Sequence, residues 1–188
     1  MLGENPIPQE YAFDFDVIQN LLEHFKSVRA DGRIASGGGY LHKPSFPHDF
    51  RMIITDMNAI RSNMPLYGVG FFGQLRPDVT IRAYMDLIGF DRILVESLDP
   101  RLIIGYANIP IGDGNNGNVV LPISRGMADE WMMRPEHRYV VEHVAPEVFS
   151  RIFLHNFDLP EGILGRLVYQ RTRVYDFSHL QPDQIPTT

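Results

Sequence analysis

The sequence predicts an α+β fold built mainly on an antiparallel β-sheet. Three observations support this class: an amphipathic helical pattern near the N-terminus, a series of short strand patterns from residue 51 onward, and turn residues between consecutive strands. A doubly wound parallel sheet would need a helix between each pair of strands, and that alternation is missing. With 188 residues, 44% of them hydrophobic, the chain is long and apolar enough for one packed domain, predicted over residues 13–180.

The first helix is predicted to begin near Asp14, whose carboxylate suits the N-cap position. Apolar side chains then recur at spacings of three and four residues, which places them on one buried stripe: Val17, Ile18, Leu21, Leu22, Phe25 and Val28. The pair Asp31 and Gly32 is predicted to end this helix. Between residues 35 and 50, three consecutive glycines and two prolines predict a long irregular segment.

Four later segments are predicted to be strands. In residues 79–87, apolar side chains alternate with mainly polar ones, which is the pattern of a half-buried strand. Residues 92–98, 101–111 and 165–176 are predicted to be strands as well. The stretch 112–118 is rich in Gly, Asn and Asp, so we expect it to form a hairpin loop.

A second helix is predicted near residues 146–156. Pro146 suits the first turn of a helix because its missing N–H has no partner there. Phe149, Ile152 and Phe153 have the spacing of an apolar stripe on one side of that helix. The predicted sheet is therefore a meander with one helix before it and one near its end.

The basic residues are biased in kind, with fifteen arginines and two lysines. Protein–protein interfaces are enriched in Arg, Met and aromatic residues and depleted in Lys, so the bias is typical of an interaction surface. The codon preference of a GC-rich genome would produce the same bias, and the sequence does not separate the two explanations. The net charge of −6 and the lack of a basic run argue against direct nucleic-acid binding.

Cysteine is absent, which removes disulfides, thiolate metal sites and thiol nucleophiles from consideration. No basic-then-apolar leader opens the sequence, and no apolar run approaches the ~18 residues that a membrane span needs. The chain is therefore predicted to be soluble and to insert in no membrane. We expect it in the cytoplasm, or in a virion assembled in the host cytoplasm, and we predict no cofactor or metal.

Three motifs resemble active-site signatures but lack a required part. The segment from Gly68 to Gly73 has the G-x-G-x-x-G spacing, but Pro77 and a predicted strand follow where a phosphate-binding helix would begin. Ser124 has only the second glycine of a nucleophile elbow. Asp113 opens a calcium-like loop in which Ser124 stands where a glutamate ligand is required. A glycine-rich strand and a hairpin tip are predicted at these places instead.

Histidine supplies the remaining candidates for a general base. His42 and His48 lie in the long irregular segment, and His137 and His143 are predicted to bracket a strand. On a strand, the latter two would lie about 20 Å apart, too far to share a metal ion. A small-molecule-binding α+β domain, or an enzyme with histidine as its general base, is therefore the alternative function. It requires a pocket that gathers at least two of these histidines with an acid.

Two segments are the best candidates for a partner surface. Trp131, Met132 and Met133 are consecutive and bulky, so a single face of a helix or strand cannot bury all three. A second set alternates along the last strand and would form Arg–Tyr pairs: Tyr169, Arg171, Arg173 and Tyr175. Met, Trp and Arg are typical of contact patches, whereas core or cross-strand packing is the other interpretation.

The sequence therefore favours a non-enzymatic structural subunit of a multi-subunit assembly. The ends, residues 1–12 and 181–188, carry two prolines each and no packing pattern, so both are predicted to be extended arms that dock on neighbouring subunits. The expected partners are other protein subunits, in a homo-oligomer or a hetero-complex. The concrete expectation is a bacteriophage virion component of the tail, neck or baseplate type. A regulatory adaptor with one cellular partner is a third possibility that the sequence does not separate from it.

Overall fold

The computed structural model describes residues 6–31, 40–42, 51–96, 98–112 and 115–180. In this part of the chain, seven strands form one antiparallel sheet, and helices pack on both of its faces. The predicted α+β class, the antiparallel sheet and the N-terminal helix are confirmed.

The helices and strands are labelled in chain order. The helices are α1 (Ala12–Ala30), α2 (Met57–Arg61), α3 (Ile81–Glu96), α4 (Arg125–Met132), α5 (Pro135–Tyr139) and α6 (Ala145–Val148). The strands are β1 (Tyr40–His42), β2 (Arg51–Ile54), β3 (Leu66–Leu75), β4 (Ile103–Gly112), β5 (Asn115–Pro122), β6 (Phe149–Leu159) and β7 (Val168–Asp176). Short 3₁₀ turns precede α1 and β7, and a π-helical turn at Val140–Val144 joins α5 to α6. The order across the sheet is β1-β2-β4-β5-β3-β6-β7, so β1 and β7 lie at its edges.

The larger core lies between α1 and one face of the sheet. Helix α1 contributes buried side chains at helical spacing: Phe15, Ile18, Leu21, Leu22 and Phe25. They pack against residues of the central strands, among them Phe72 on β3, Val119 on β5 and Phe157 on β6. Burial of a side chain of this size stabilises a fold by about 1.5–3 kcal/mol, so α1 is a main anchor of this face. The helix ends at Ala30, beside the stop predicted at Asp31.

The opposite face of the sheet carries two smaller cores. Helices α3 and α6 pack near β6, where Ala83, Val148 and Ile152 are buried in one cluster. Helix α4 packs beside β4 and β5, where Trp131 contacts the cluster that contains Tyr106. Next to α4, side chains of β3, β6 and β7 line a cleft, and this cleft is the candidate site.

The strand predicted at residues 79–87 is wrong, because most of them belong to α3. The Thr80 Oγ1 accepts a hydrogen bond from the backbone N–H of Ala83 at 3.1 Å, as an N-cap residue does. Helix α3 carries apolar residues on two opposite sides, and this arrangement produces the alternation that indicated a strand. The strand predicted at residues 92–98 is wrong as well, because α3 continues to Glu96.

The second helix, predicted near residues 146–156, is helical only in its first turn. Helix α6 ends at Val148, and β6 follows at once from Phe149. Strand β6 pairs with β3 and β7 and has apolar residues on both faces, so its sequence mimics helical spacing. The π-helical turn lies just before Pro146, which has no N–H to donate to the carbonyl four residues earlier.

Two of the other strand predictions agree with the structure. Residues 101–111 and 165–176 contain β4 and β7, and the glycine-rich segment from Gly68 to Gly73 lies within β3. The hairpin loop predicted at 112–118 is shorter than expected, since β5 already begins at Asn115. Its tip, residues 113–114, lies outside the described part of the chain.

The predicted arms lie largely outside the described residues, which do not include 1–5 and 181–188. In the rest of the N-terminal arm, Gln9–Tyr11 form a 3₁₀ turn, and Ile7 and Tyr11 pack against the α1 core. Of the long irregular segment, the structure describes β1, which pairs antiparallel with β2.

Candidate functional site

A small cleft opens on the sheet face opposite α1. Helix α4 forms one wall, and strands β3, β6 and β7 form the rest. The first turn of α4 is fixed by Ser124, whose Oγ accepts a hydrogen bond from the Met127 N–H at 3.3 Å. Three arginines line the cleft: Arg125 from the start of α4, and Arg171 and Arg173 from β7.

A buried hydrogen bond between Tyr67 on β3 and Asn156 on β6 forms the floor of the cleft. The Tyr67 hydroxyl donates to Asn156 Oδ1, and Asn156 Nδ2 donates to the Leu154 carbonyl at 3.2 Å. The two side chains are only 7% and 5% exposed. Burial raises the pKa of the Tyr67 hydroxyl above its ordinary value, although the nearby arginines act in the opposite direction. Tyr67 is therefore a neutral hydrogen-bonding group at physiological pH.

The three guanidinium groups concentrate positive charge at this cleft. The Arg125 guanidinium carbon lies 5.1 Å from the centroid of the Tyr67 ring, in cation–π contact. Within the described residues, no carboxylate lies at salt-bridge distance from Arg125, Arg171 or Arg173. Asp129 also lines the cleft and contributes a negative charge there. Other arginines of the chain do have carboxylate partners: Arg76, Arg101, Arg134, Arg138 and Arg151.

The cleft is small, with an internal volume of about 20 Å³. That volume holds about one water molecule, whereas pockets for small molecules measure about 300–1,000 Å³. A larger depression of about 430 Å³ lies beside Pro160 and Leu164, but it is open to solvent, and among the described residues of its lining only Glu161 is charged. The arginine cleft is therefore sized for the tip of a side chain.

Three of the seven predicted interface residues meet in this cleft. Met132 reaches it from α4, and Arg171 and Arg173 reach it from β7. Trp131 instead packs into the core beneath α4, and Met133 is 66% exposed. Successive residues of a helix point about 100° apart, which explains why these three neighbours separate.

A β-bulge separates Tyr169 from the arginines with which it was predicted to share a face. Asn156 of β6 pairs with Arg171 of β7, but the next residue of β6 pairs with Tyr169. Strand β7 therefore has one extra residue at this point. The extra residue turns Tyr169 to the α1 face, where its ring lies 5.5 Å from the Phe15 ring. Tyr175 stays on the same sheet face as Arg171 and is 36% exposed.

Neither His137 nor His143, the two histidine candidates that the structure describes in full, lines the arginine cleft. His137 lies in α5, not on a strand. Burial lowers the pKa of its ring, although a hydrogen bond to the Met132 backbone acts to raise it. His143 lies in the π-helical turn. The side chain of His42 and the whole of His48 lie outside the described part of the chain.

The sequence patterns missed a chain of polar contacts on the α1 face. His155 on β6 is fully buried, with Nε2 at 2.8 Å from Asp14 Oδ2 and Nδ1 at 2.9 Å from Thr172 Oγ1. The Tyr169 hydroxyl donates to Thr172 Oγ1 at 3.2 Å. A hydroxyl, an imidazole and a carboxylate in a row can activate a nucleophile. This imidazole has no exposed surface, however, so its contacts stabilise the packing of α1 on the sheet. Asp14 was the one visible signal, and its place near a helix start indicated only a cap.

Within the described ranges, no three His, Asp or Glu side chains lie close enough together to hold a metal ion. No helix in these ranges combines the length and the hydropathy that a bilayer crossing requires. No family model, curated protein or solved structure matches the chain. The function has to be inferred from the geometry of the cleft and the surface around it.

Proposed function

We propose that this chain is a non-enzymatic structural subunit of a multi-subunit assembly, and that its arginine cleft binds an acidic segment of a neighbouring protein subunit. The observation that carries the proposal is the meeting of Arg125, Arg171 and Arg173 at one cleft without a carboxylate partner among the described residues. Like charges that line one small cleft repel one another. An anionic group that enters the cleft therefore relieves a repulsion in addition to making its own contacts.

The chemistry of the lining favours a carboxylate side chain as the occupant. Guanidinium groups bind carboxylates bidentately, and they lose hydration at lower cost than an ammonium group does. Val69, Met132 and Leu154 provide apolar surface beside the arginines, against which the stem of a Glu or Asp side chain can pack. Apolar contact surrounded by arginine is the composition of protein–protein interfaces.

The proposed assembly is a bacteriophage virion, in which the chain would be a component of the tail, neck or baseplate. Its support is the composition: fifteen arginines against two lysines, eight methionines, no cysteine, and proline-bearing ends that are predicted to be arms. Its partners would be other protein subunits, as copies of this chain or as different chains.

Binding of a short polyglutamate peptide, followed by the fluorescence of Trp131, tests the cleft. Trp131 is the one tryptophan of the chain and directly precedes Met132 in the cleft wall. We expect saturable binding that weakens with added salt. The double variant Arg171→Gln with Arg173→Gln should lose about tenfold or more in affinity, because a hydrogen bond to a charged group contributes about 1.5–3 kcal/mol.

Arg138→Gln is the matched control, because Arg138 is an exposed arginine of α5 that pairs with Glu142. It should leave peptide binding unchanged. An equal loss in the control and the double variant would argue against the cleft, and so would equal binding of a polyasparagine peptide. If inorganic phosphate displaces the peptide at equal concentration, the cleft is a small-anion site, and the proposal of a protein partner fails.

A further inference from the structure

Helix α3 presents a second apolar side to solvent. Its inner side packs on the core shared with α6: Ala83, Leu87 and Phe90. On its outer side, Ile81, Met85 and Ile88 are 84%, 58% and 47% exposed. Their spacing of four and three residues places them on one stripe of the helix. Contiguous exposed apolar surface of this kind is typical of a contact with another protein.

We infer that α3 pairs antiparallel with α3 of a second copy, about a two-fold axis that passes beside Met85. This contact would make a second copy of the chain one partner within the proposed assembly, and it uses a different surface from the arginine cleft. The proposal for either contact can therefore be wrong without the other being wrong.

The helical rise determines which apolar residues meet across this axis. With Met85 at the axis, Ile81 lies about 6 Å away along α3 in one direction, and Ile88 lies about 4.5 Å away in the other. The two-fold rotation reverses the direction of the helix, but each flank of α3 in one copy lies beside the same flank of α3 in the other copy. Ile81 of one copy therefore comes within about 1.5 Å, along the helix axis, of the level of Ile88 in the second copy. Met85 meets Met85 between these two pairs.

The charges beside the stripe are complementary under the same rotation, and this points to a second copy as the partner. Arg82 and Asp86 lie on one flank of α3. The two isoleucines lie on the opposite flank, with Met85 between the two flanks. In the antiparallel pair, Arg82 of one copy lies within about 3 Å, measured along the helix axis, of the level of Asp86 in the other copy. The two-fold symmetry produces this contact twice. Within one chain the two form only a long contact, with 3.8 Å between Arg82 Nε and Asp86 Oδ2, and their side chains are 90% and 53% exposed. Both are therefore available for pairing between copies.

Single cysteines test this pairing, since the natural chain has none. When two helices pack about 8–10 Å apart, Cα atoms that face each other across the two-fold axis come within about 4–6 Å, which is the range of a disulfide. Met85→Cys should therefore form a linked dimer under mild oxidation. Ile81→Cys is the matched control: Ile81 is more exposed, but its own copy lies about 12 Å away along the helix, so it should stay unlinked.

Mixing Ile81→Cys with Ile88→Cys should restore linkage, because those two positions meet across the axis. Circular dichroism should show the wild-type fold for all three variants, since each position is solvent-exposed. Linkage of Ile81→Cys as fast as that of Met85→Cys would overturn the two-fold pairing, and so would a Met85→Cys protein that stays monomeric. Loss of polyglutamate binding together with intact Met85→Cys linkage would reject the cleft proposal alone.

Discussion

His155 is a buried polar residue of β6 that contacts α1 through Asp14. Asp14 and Thr172 provide partners for its two ring nitrogens. Aromatic rings surround the imidazole on the α1 face: Tyr11, Phe15, Phe72 and Phe153. Because the ring is fully buried, a nitrogen that lost its protein partner would have no exposed surface on which to meet water.

We expect Asp14→Ala to lower the free energy of unfolding by about 1–3 kcal/mol, because it leaves a buried nitrogen of His155 without a partner. Asp14→Asn keeps an oxygen acceptor and should cost less. Asp16→Ala is the matched control, since Asp16 is an exposed acid in the same helix. Urea unfolding of the three variants measures the difference. Equal losses for Asp14→Ala and Asp16→Ala would show that the hydrogen bond to His155 contributes nothing.

The sequence showed the residue types that line the cleft, but it did not show that these residues lie close together in the fold. Arg171, Arg173 and Met132 were singled out by residue type. Their convergence depends on the docking of α4 and on the pairing of β6 with β7, and no local pattern encodes such contacts between distant segments. Tyr169 departs from the prediction because a β-bulge changes which face it occupies, and simple alternation along a strand does not anticipate a bulge.

At the scale of elements, the glycines of β3 are explained by close packing. A Cβ atom at Gly68 would lie 2.2 Å from the Phe157 ring, and one at Gly73 would lie 2.3 Å from the Phe149 ring. At Gly70 it would approach the Ile18 side chain of α1 to 2.6 Å. The G-x-G-x-x-G spacing therefore reflects large side chains of β6 and α1 that pack directly on the β3 backbone.

Gly68→Ala should destabilise the protein by about 1–3 kcal/mol, because the added methyl group overlaps the buried ring of Phe157. Gly126→Ala is the matched control: its Cβ would meet only Ser124 Oγ, at 3.9 Å, and it lies in helix α4. That change should raise stability by about 0.5–1 kcal/mol, since alanine favours a helix over glycine. Chemical denaturation gives both values. A neutral Gly68→Ala would mean that β3 and β6 are not packed this closely.

Helix α1 has one apolar side and was predicted correctly, whereas α3 and β6 have two and were not. The apolar spacing of α1 predicted that it is a helix, and the pair Asp31 and Gly32 predicted where it ends. Helix α3 is apolar on its inner and outer sides, so its sequence alternates like a strand. Strand β6 is apolar on both faces of the sheet, so its sequence resembles a helix. The hydrogen bond from Ala83 to Thr80 shows that an N-cap signal at Thr80 could have identified α3.

At the scale of the whole molecule, the sheet divides the protein into a closed side and a side that carries its candidate contact surfaces. The face under α1 holds the larger core and the buried polar chain of His155. The other face carries the arginine cleft beside α4, and α3 with its exposed apolar stripe. The arginine-rich composition is typical of interaction surfaces and also of a GC-rich genome, whereas only the fold shows which surfaces are exposed.

Light scattering over a concentration series, for the wild type and two charge variants, tests self-association most directly. We expect the wild-type mass to rise from 21.5 kDa toward twice that value as the concentration approaches about 100 μM. Arg82→Glu should hold the mass at a single chain, because its new carboxylate would face Asp86 of the second copy. Combining it with Asp86→Arg should restore the dimer. A single-chain mass for the wild type at every concentration would contradict the pairing of α3.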